Sequence, residues 1–128
     1  MTVPRTLPYI ACMAEFNVEF STIGKVVVVR TQGYLDDAGG KVFREKCTEY
    51  INKGCIYFVF NMSETPVINS TGLSILLDLM VQIIDYNEGE VAITGLSTLT
   101  KTALRMTGVL TLCDYYETEE EAVAAVTP

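Results

Sequence analysis

The chain predicts a single α/β domain, in which a mixed sheet of about five strands, opened by a hairpin, is crossed by about four helices. Three observations carry that expectation. Val26-Val27-Val28-Val29 and residues 55–60 are apolar runs too short for helices, and their lack of alternation suits strands covered on both faces. Leu73, Leu76, Leu77, Met80, Ile83 and Ile84 fall at helical spacing, one stripe against a core. Segments of these two kinds then alternate along the chain, the pattern of parallel strands joined by crossover helices.

Each element follows from local chemistry. Phe16, Val18 and Phe20 alternate with polar neighbours as in a half-buried strand, and Ser21-Thr22-Ile23-Gly24 turns the chain into a buried strand over residues 25–30. After Gly33, Asp36 or Asp37 caps a helix reaching about residue 52, with Phe43, Cys47, Tyr50 and Ile51 as its apolar stripe and Gly54 at its end. Residues 55–60 form the next strand and residues 61–66 a loop. The second helix runs to about Tyr86, Asn87-Glu88-Gly89-Glu90 turns, and Val91-Ala92-Ile93-Thr94 is a strand closed by Gly95. Ser97 caps a third helix with Leu99, Ala103, Leu104 and Met106 as core contacts, and Gly108 follows its end. Residues 110–116 supply the last strand. Thr118-Glu119-Glu120-Glu121 is a capping box ahead of the final helix, its carboxylates at the positive helix end and an interaction surface only as a second role.

Composition narrows the function. In 128 residues, 49% hydrophobic and 20% charged with a mean hydropathy of +0.29, there is enough apolar material for one well-filled core and no sign of disorder. A formal charge of -7 opposes the phosphates of nucleic acid and of anionic membranes, and suits a basic partner. Cys12, Cys47, Cys55 and Cys113 form no C-x-x-C pair and sit mostly in apolar surroundings, which reads as free thiols in a reducing cytoplasm. No apolar run is long enough to span a membrane, and Pro4 and Pro8 interrupt the short N-terminal patch, so neither membrane insertion nor export is expected. Residues 1–15 are an extension ahead of the domain, ordered against it or against a second copy, or else Met13 marks an alternative start.

The chain has no histidine, which removes the base of a Ser-His-Asp or Cys-His arrangement and the commonest metal ligand. Gly39-Gly40-Lys41 fails as a phosphate loop, because the first glycine of that motif would fall at Leu35 and its hydroxyl residue at Val42. Asp36 and Asp37 are adjacent and read as capping residues, not as an acid-base pair. Asn61-Met62-Ser63 and Asn69-Ser70-Thr71 fit the glycosylation sequon, which has meaning only for a secreted chain.

What remains is a hydroxyl at a helix start. Val67-Ile68 ends an extended stretch and the helical stripe begins at Leu73, so Asn69, Ser70 and Thr71 lie where strand gives way to helix. The first N–H groups of a helix lack intrahelical partners and carry the positive end of its dipole, so a phosphate on Ser70 would meet donors and favourable charge.

The run Val67-Ile68-Asn69-Ser70-Thr71-Gly72-Leu73 resembles the signature of the STAS family of bacterial anti-sigma factor antagonists, in which Asp-Ser-Ser/Thr-Gly-Leu follows a strand and the first Ser is phosphorylated. Gly33-Tyr34-Leu35-Asp36 resembles the Gly-x-Leu-Asp element of that family, and the likeness extends from about residue 16 to about residue 126. Asn69 stands where the family carries Asp. The resemblance implies a STAS domain over residues 16–128, with Ser70 as phosphoacceptor and Thr71 as fallback. It implies a partner surface of Tyr34, Asp36, Asn69, Ser70, Thr71, Gly72, Ser74 and Asp78. It further implies a switch: the unphosphorylated form binds an anti-sigma factor that is itself a serine kinase, so freeing a sigma factor, and phosphorylation ends the complex until a serine phosphatase restores it. The chain would be the substrate of that kinase and not an enzyme, with no cofactor or metal, and with a homodimer left open. The alternative is a non-switching STAS adaptor of a lipid transporter or a stress-signalling assembly, in which Ser70 is a cap.

Overall fold

The structure is a computed structural model that describes residues 15–108 and 113–128. Five strands form one sheet in sequential order: β1 (Asn17–Ile23), β2 (Val26–Gln32), β3 (Tyr57–Glu64), β4 (Glu90–Thr94) and β5 (Asp114–Tyr116). β1 and β2 are an antiparallel hairpin, and each later strand adds in parallel to the one before. The helices are α1 (Asp37–Asn52), α2 (Ser70–Val81), α3 (Thr98–Thr107) and α4 (Glu119–Val126), with a π-helical turn over Gln82–Tyr86 prolonging α2.

Strand order decides where the helices go. From β2 to β5 every crossover steps the same way across the sheet, and right-handed crossovers that all step one way put their helices on one face. Val27, Val29, Phe58, Phe60 and Ile93 therefore bury against Phe43 and Cys47 of α1, Leu76, Leu79 and Met80 of α2, and Leu104 of α3. α4 leaves β5 and covers the other face, where Ala122 and Val126 meet Val26, Val28, Val59 and Ala92. That division explains the apolar runs of β2 and β3, whose alternate residues belong to two different cores.

Several boundaries differ from those expected. β1 continues through Ser21 and Thr22 to Ile23, because Gly24 at φ +61° closes the hairpin beside Lys25 and pairs Ile23 with Val26. β3 starts at Tyr57 and runs on through Asn61, Met62, Ser63 and Glu64, expected as loop. These residues are held by pairing of Gln32 with Glu64 beyond a register shift in β2, and by Asn61 Nδ2 donating to Glu119 at 3.0 Å. Of the last strand, residues 109–112 lie outside the described residues, and β5 proper is Asp114–Tyr116.

The core face of α3 needs correction. Leu104 is buried, but Leu99 and Met106 are 72% and 84% exposed. The inward stripe is Thr100 and Leu104, one turn apart, and a threonine fits there because its hydroxyl lies 3.0 Å from Ser97 Oγ and 3.4 Å from the Pro66 carbonyl.

At α4, Thr118 accepts from the Glu121 N–H as the capping box expects. Glu119 does more than face the helix dipole. Its two carboxylate oxygens accept from Arg30 Nε and Nη2, both at 2.8 Å, in a bidentate pair that joins α4 to β2.

Candidate functional site

The starts of α1 and α2 are neighbours because β2 and β3 are adjacent parallel strands whose carboxyl ends feed them, the usual place for function in such sheets. Past the strands, the two loops stay stitched together. The Leu35 N–H donates to the Val67 carbonyl and the Asn69 N–H to the Leu35 carbonyl, each at 3.1 Å, so that Leu35 and Ile68 form an isolated parallel bridge. Beneath them the buried hydroxyls of Thr31 and Thr65 bond at 2.6 Å, and Ser97 Oγ holds the Pro66 carbonyl at 3.2 Å. The loop that delivers α2 is fixed by hydrogen bonds from three sides.

Each helix then opens on a capping side chain. Asp36 Oδ1 accepts from the Gly39 N–H at 2.8 Å, and Asn69 Oδ1 accepts from the Gly72 N–H at 2.8 Å. Ser70 is the first residue of α2, with Thr71 beside it, and both are exposed. Neither hydroxyl has a hydrogen-bond partner among the described residues, so each is open to an incoming group. Gly72 is buried directly under them: a Cβ there would collide with the Leu35 carbonyl oxygen, so the close approach of α2 to the β2–α1 loop requires glycine.

The expected partner-surface residues fall into two groups. Asp36, Asn69, Ser70, Thr71 and Gly72 gather at the junction of the two helix starts, with Tyr34 half-buried in the loop before α1. Ser74 and Asp78 follow Ser70 at four-residue intervals on α2 and are exposed, and Asp78 pairs with Arg44 Nη2 of α1 at 3.3 Å. Two residues of this region are absent from the expected set. Arg44 is one. The other is Asp37, whose Oδ1 accepts from Asn69 Nδ2 at 2.9 Å across 32 positions of sequence, a contact that no local signal reveals.

The chemistry available is limited. No histidine stands beside Ser70 to act as base. Among the described residues, no group of three or more His, Cys, Asp or Glu side chains could hold a metal ion. Cys47 and Cys113 are buried thiols. Burial pushes the Cys47 thiol far up, and burial with the nearby Asp114 charge pushes Cys113 up to about 12, so neither is a thiolate nucleophile at neutral pH. Among the described residues no helix is long and apolar enough to cross a membrane.

Solved structures share this architecture. A candidate anti-sigma factor antagonist of Thermotoga maritima superimposes with a TM-score of 0.78 at 20% identity, over 85% of this chain and 93% of that one. The Bacillus cell fate determinant SpoIIAA in its phosphorylated form gives 0.70 at 23% identity, over 88% of this chain and 100% of the other. A sulfate transporter family protein of Wolinella succinogenes gives 0.70 at 17% identity, over 83% and 88%. At these identities the likeness is one of fold. In sequence, residues 17–122 match the STAS domain, a span that takes in all five strands and both helix starts of the site. The chain belongs to the STAS domain family.

Proposed function

We propose that this chain is an anti-sigma factor antagonist that docks on an anti-sigma factor serine kinase through the junction of α1 and α2 and is released when Ser70 carries a phosphate. The observation that carries this reading is the Ser70 hydroxyl, exposed at the first residue of α2 above a backbone whose close packing leaves the helix start no freedom to withdraw. The phosphoryl group comes from ATP held by the partner, since the chain has neither a nucleotide loop nor a base at the hydroxyl; it is a substrate and not an enzyme. A serine phosphatase in the same cytoplasm resets it.

The energetics are adequate. A phosphate adds about -1.5 to -2 charge, which the free protein holds at the N-terminus of α2 and which a fitted interface must desolvate. Weakening a complex from nanomolar to micromolar takes about 4 kcal/mol, within reach of one buried, unpaired phosphate. Ser74 and Asp78 follow Ser70 along the exposed side of α2, and Tyr34 and Asp36 belong to the loop bonded to the start of that helix; these residues are the face we assign to the partner.

The test is to recover the ATP-binding protein that copurifies with the tagged chain, incubate the two with ATP, and map phosphate by mass spectrometry. Phosphate on Ser70, and loss of the complex with its appearance, is the expected result; no phosphate on Ser70 or Thr71 overturns the switch. A second reading, a non-switching adaptor of a transporter or a stress-signalling assembly, draws support from the fold shared with the Wolinella sulfate transporter family protein and from Asn69, which caps α2 where the family signature has Asp. Copurification with a membrane transporter and no phosphate would favour it.

A further inference from the structure

Among the described residues, one side-chain hydrogen bond joins the two helix starts, and its chemistry is asymmetric. The Asn69 amide uses its oxygen to accept from the Gly72 N–H and its nitrogen to donate to Asp37 Oδ1. An amide can do both at once, whereas an ionised carboxylate only accepts. Asp36 is already committed to the Gly39 N–H, so Asp37 is the acid of the first turn of α1 that reaches α2. The bare Cα of Gly72 lets the helix starts lie close and the backbone bonds at Leu35 keep them there, so a second acid at position 69 would face Asp37 with no hydrogen between them.

We propose that Asp37 is a positioning residue of the Ser70 site, acting through Asn69. The pair shares one negative charge across the junction of α1 and α2. Positions 37 and 69 therefore accept an acid and an amide in either order but not two acids. Asp37 also fixes which way round the Asn69 amide sits, with oxygen towards the helix and nitrogen towards the acid, and so holds the residue from which Ser70 is presented. The link to modification rests on the phosphoacceptor reading of Ser70; the link between the two side chains does not.

Three variants separate these links: N69D, D37A and the exchange D37N/N69D. By thermal unfolding at neutral pH, N69D is expected to melt about 3 °C below the parent, and the exchange to return to within about 1 °C of it. In nuclear magnetic resonance spectra, the downfield side-chain amide proton of Asn69 should vanish from its place in D37A, and the exchange variant should regain such a proton from the amide introduced on α1. With the copurified kinase and ATP, D37A and N69D should take up phosphate on Ser70 about threefold or more slowly, and the exchange variant at the parental rate. An exchange variant no more stable than N69D, or an unchanged Asn69 amide resonance in D37A, overturns the proposal. So does parental phosphorylation of D37A when the parent is itself modified. A parent that takes up no phosphate defeats the phosphoacceptor reading instead, while the melting and resonance measurements still decide the pair.

Discussion

Two glycines on facing helices separate backbone collision from side-chain crowding. A Cβ on Gly72 would run into the Leu35 carbonyl, a backbone atom pinned by its bond from the Asn69 N–H. A Cβ on Gly40 would meet Ile75 Cδ1 at 2.5 Å, the far end of a flexible side chain. G72A should therefore cost about 2–3 kcal/mol in chemical denaturation and G40A distinctly less, because only the second clash can be relieved by a rotamer change. Comparable losses in both would mean that α2 does not rest on the β2–α1 loop. Ser70 should behave in the opposite way. Its side chain is exposed and makes no bond within the described residues, so S70D should leave the melting temperature within about 2 °C of the parent while lowering affinity for the partner tenfold or more. Equal affinity of S70D and parent, by calorimetry, would remove Ser70 from the docking face. A cap at the start of α1 was legible in the sequence, open between Asp36 and Asp37, because a cap bonds a backbone N–H three residues on, within one stretch of chain; the structure gives that role to Asp36 and the corresponding one on α2 to Asn69. The bond from Asn69 to Asp37 was not legible: the two are 32 residues apart, brought close only by the parallel pairing of β2 and β3.

Among the elements, α3 and α4 show where periodicity misleads. Leu99, Ala103, Leu104 and Met106 read as one apolar stripe, of which only Leu104 is fully buried, and Thr100 stands outside that stripe because it is polar. The structure buries Thr100 because the capping Ser97 and the Pro66 carbonyl satisfy its hydroxyl, and the second of these, 34 residues away, leaves no trace in the local pattern. L104A should accordingly cost about 2–4 kcal/mol, and L99A or M106A less than about 0.5 kcal/mol, by denaturant midpoint. In α4 the hidden feature is an ion pair. Hydrogen bonds from Arg30, foremost, and from Asn61 hold the Glu119 carboxyl below its ordinary range, against a smaller opposing effect of burial. A carboxyl depressed in the folded state contributes stability that is fully present above its unfolded pKa and is lost as pH falls through the folded value. E119Q should thus melt lower than the parent at pH 7, by about 1 kcal/mol given how much solvent reaches the pair, and the gap should close as both are taken to about pH 3. A gap that stays constant with pH would show that packing of the side chain, not its charge, joins α4 to β2. By contrast the buried centres of β2 and β3, residues 26–29 and 58–60, were legible because residues buried on both faces leave an unbroken apolar run, whereas the half-polar end of β3 over residues 61–64 carried no such signal and read as loop.

At the scale of the whole molecule, the strand order was not legible, since periodicity names elements without ordering them; one-way winding then fixes both the helix layer and the adjacency of the two helix starts. That arrangement separates what holds the fold from the face proposed for docking. β3 lies at the centre of the sheet with β2 and β4 on either side, and Phe58, Val59 and Phe60 have no exposed surface. The junction of α1 and α2, in contrast, sits past the carboxyl ends of the strands with Ser70 and Thr71 in solvent. Hydrogen exchange should resolve the two regions. Amides of β3 can exchange only through global unfolding, so their protection reports the full stability of the domain, whereas the helix starts can open locally. If charge at Ser70 acts by changing the docking face alone, S70D and parent should match throughout β2, β3 and β4 and differ only near residues 35–39 and 69–73. Loss of protection in β3 of S70D would instead mean that the modification works by loosening the core, and a partner would then be discriminating between two folds rather than between two surfaces of one.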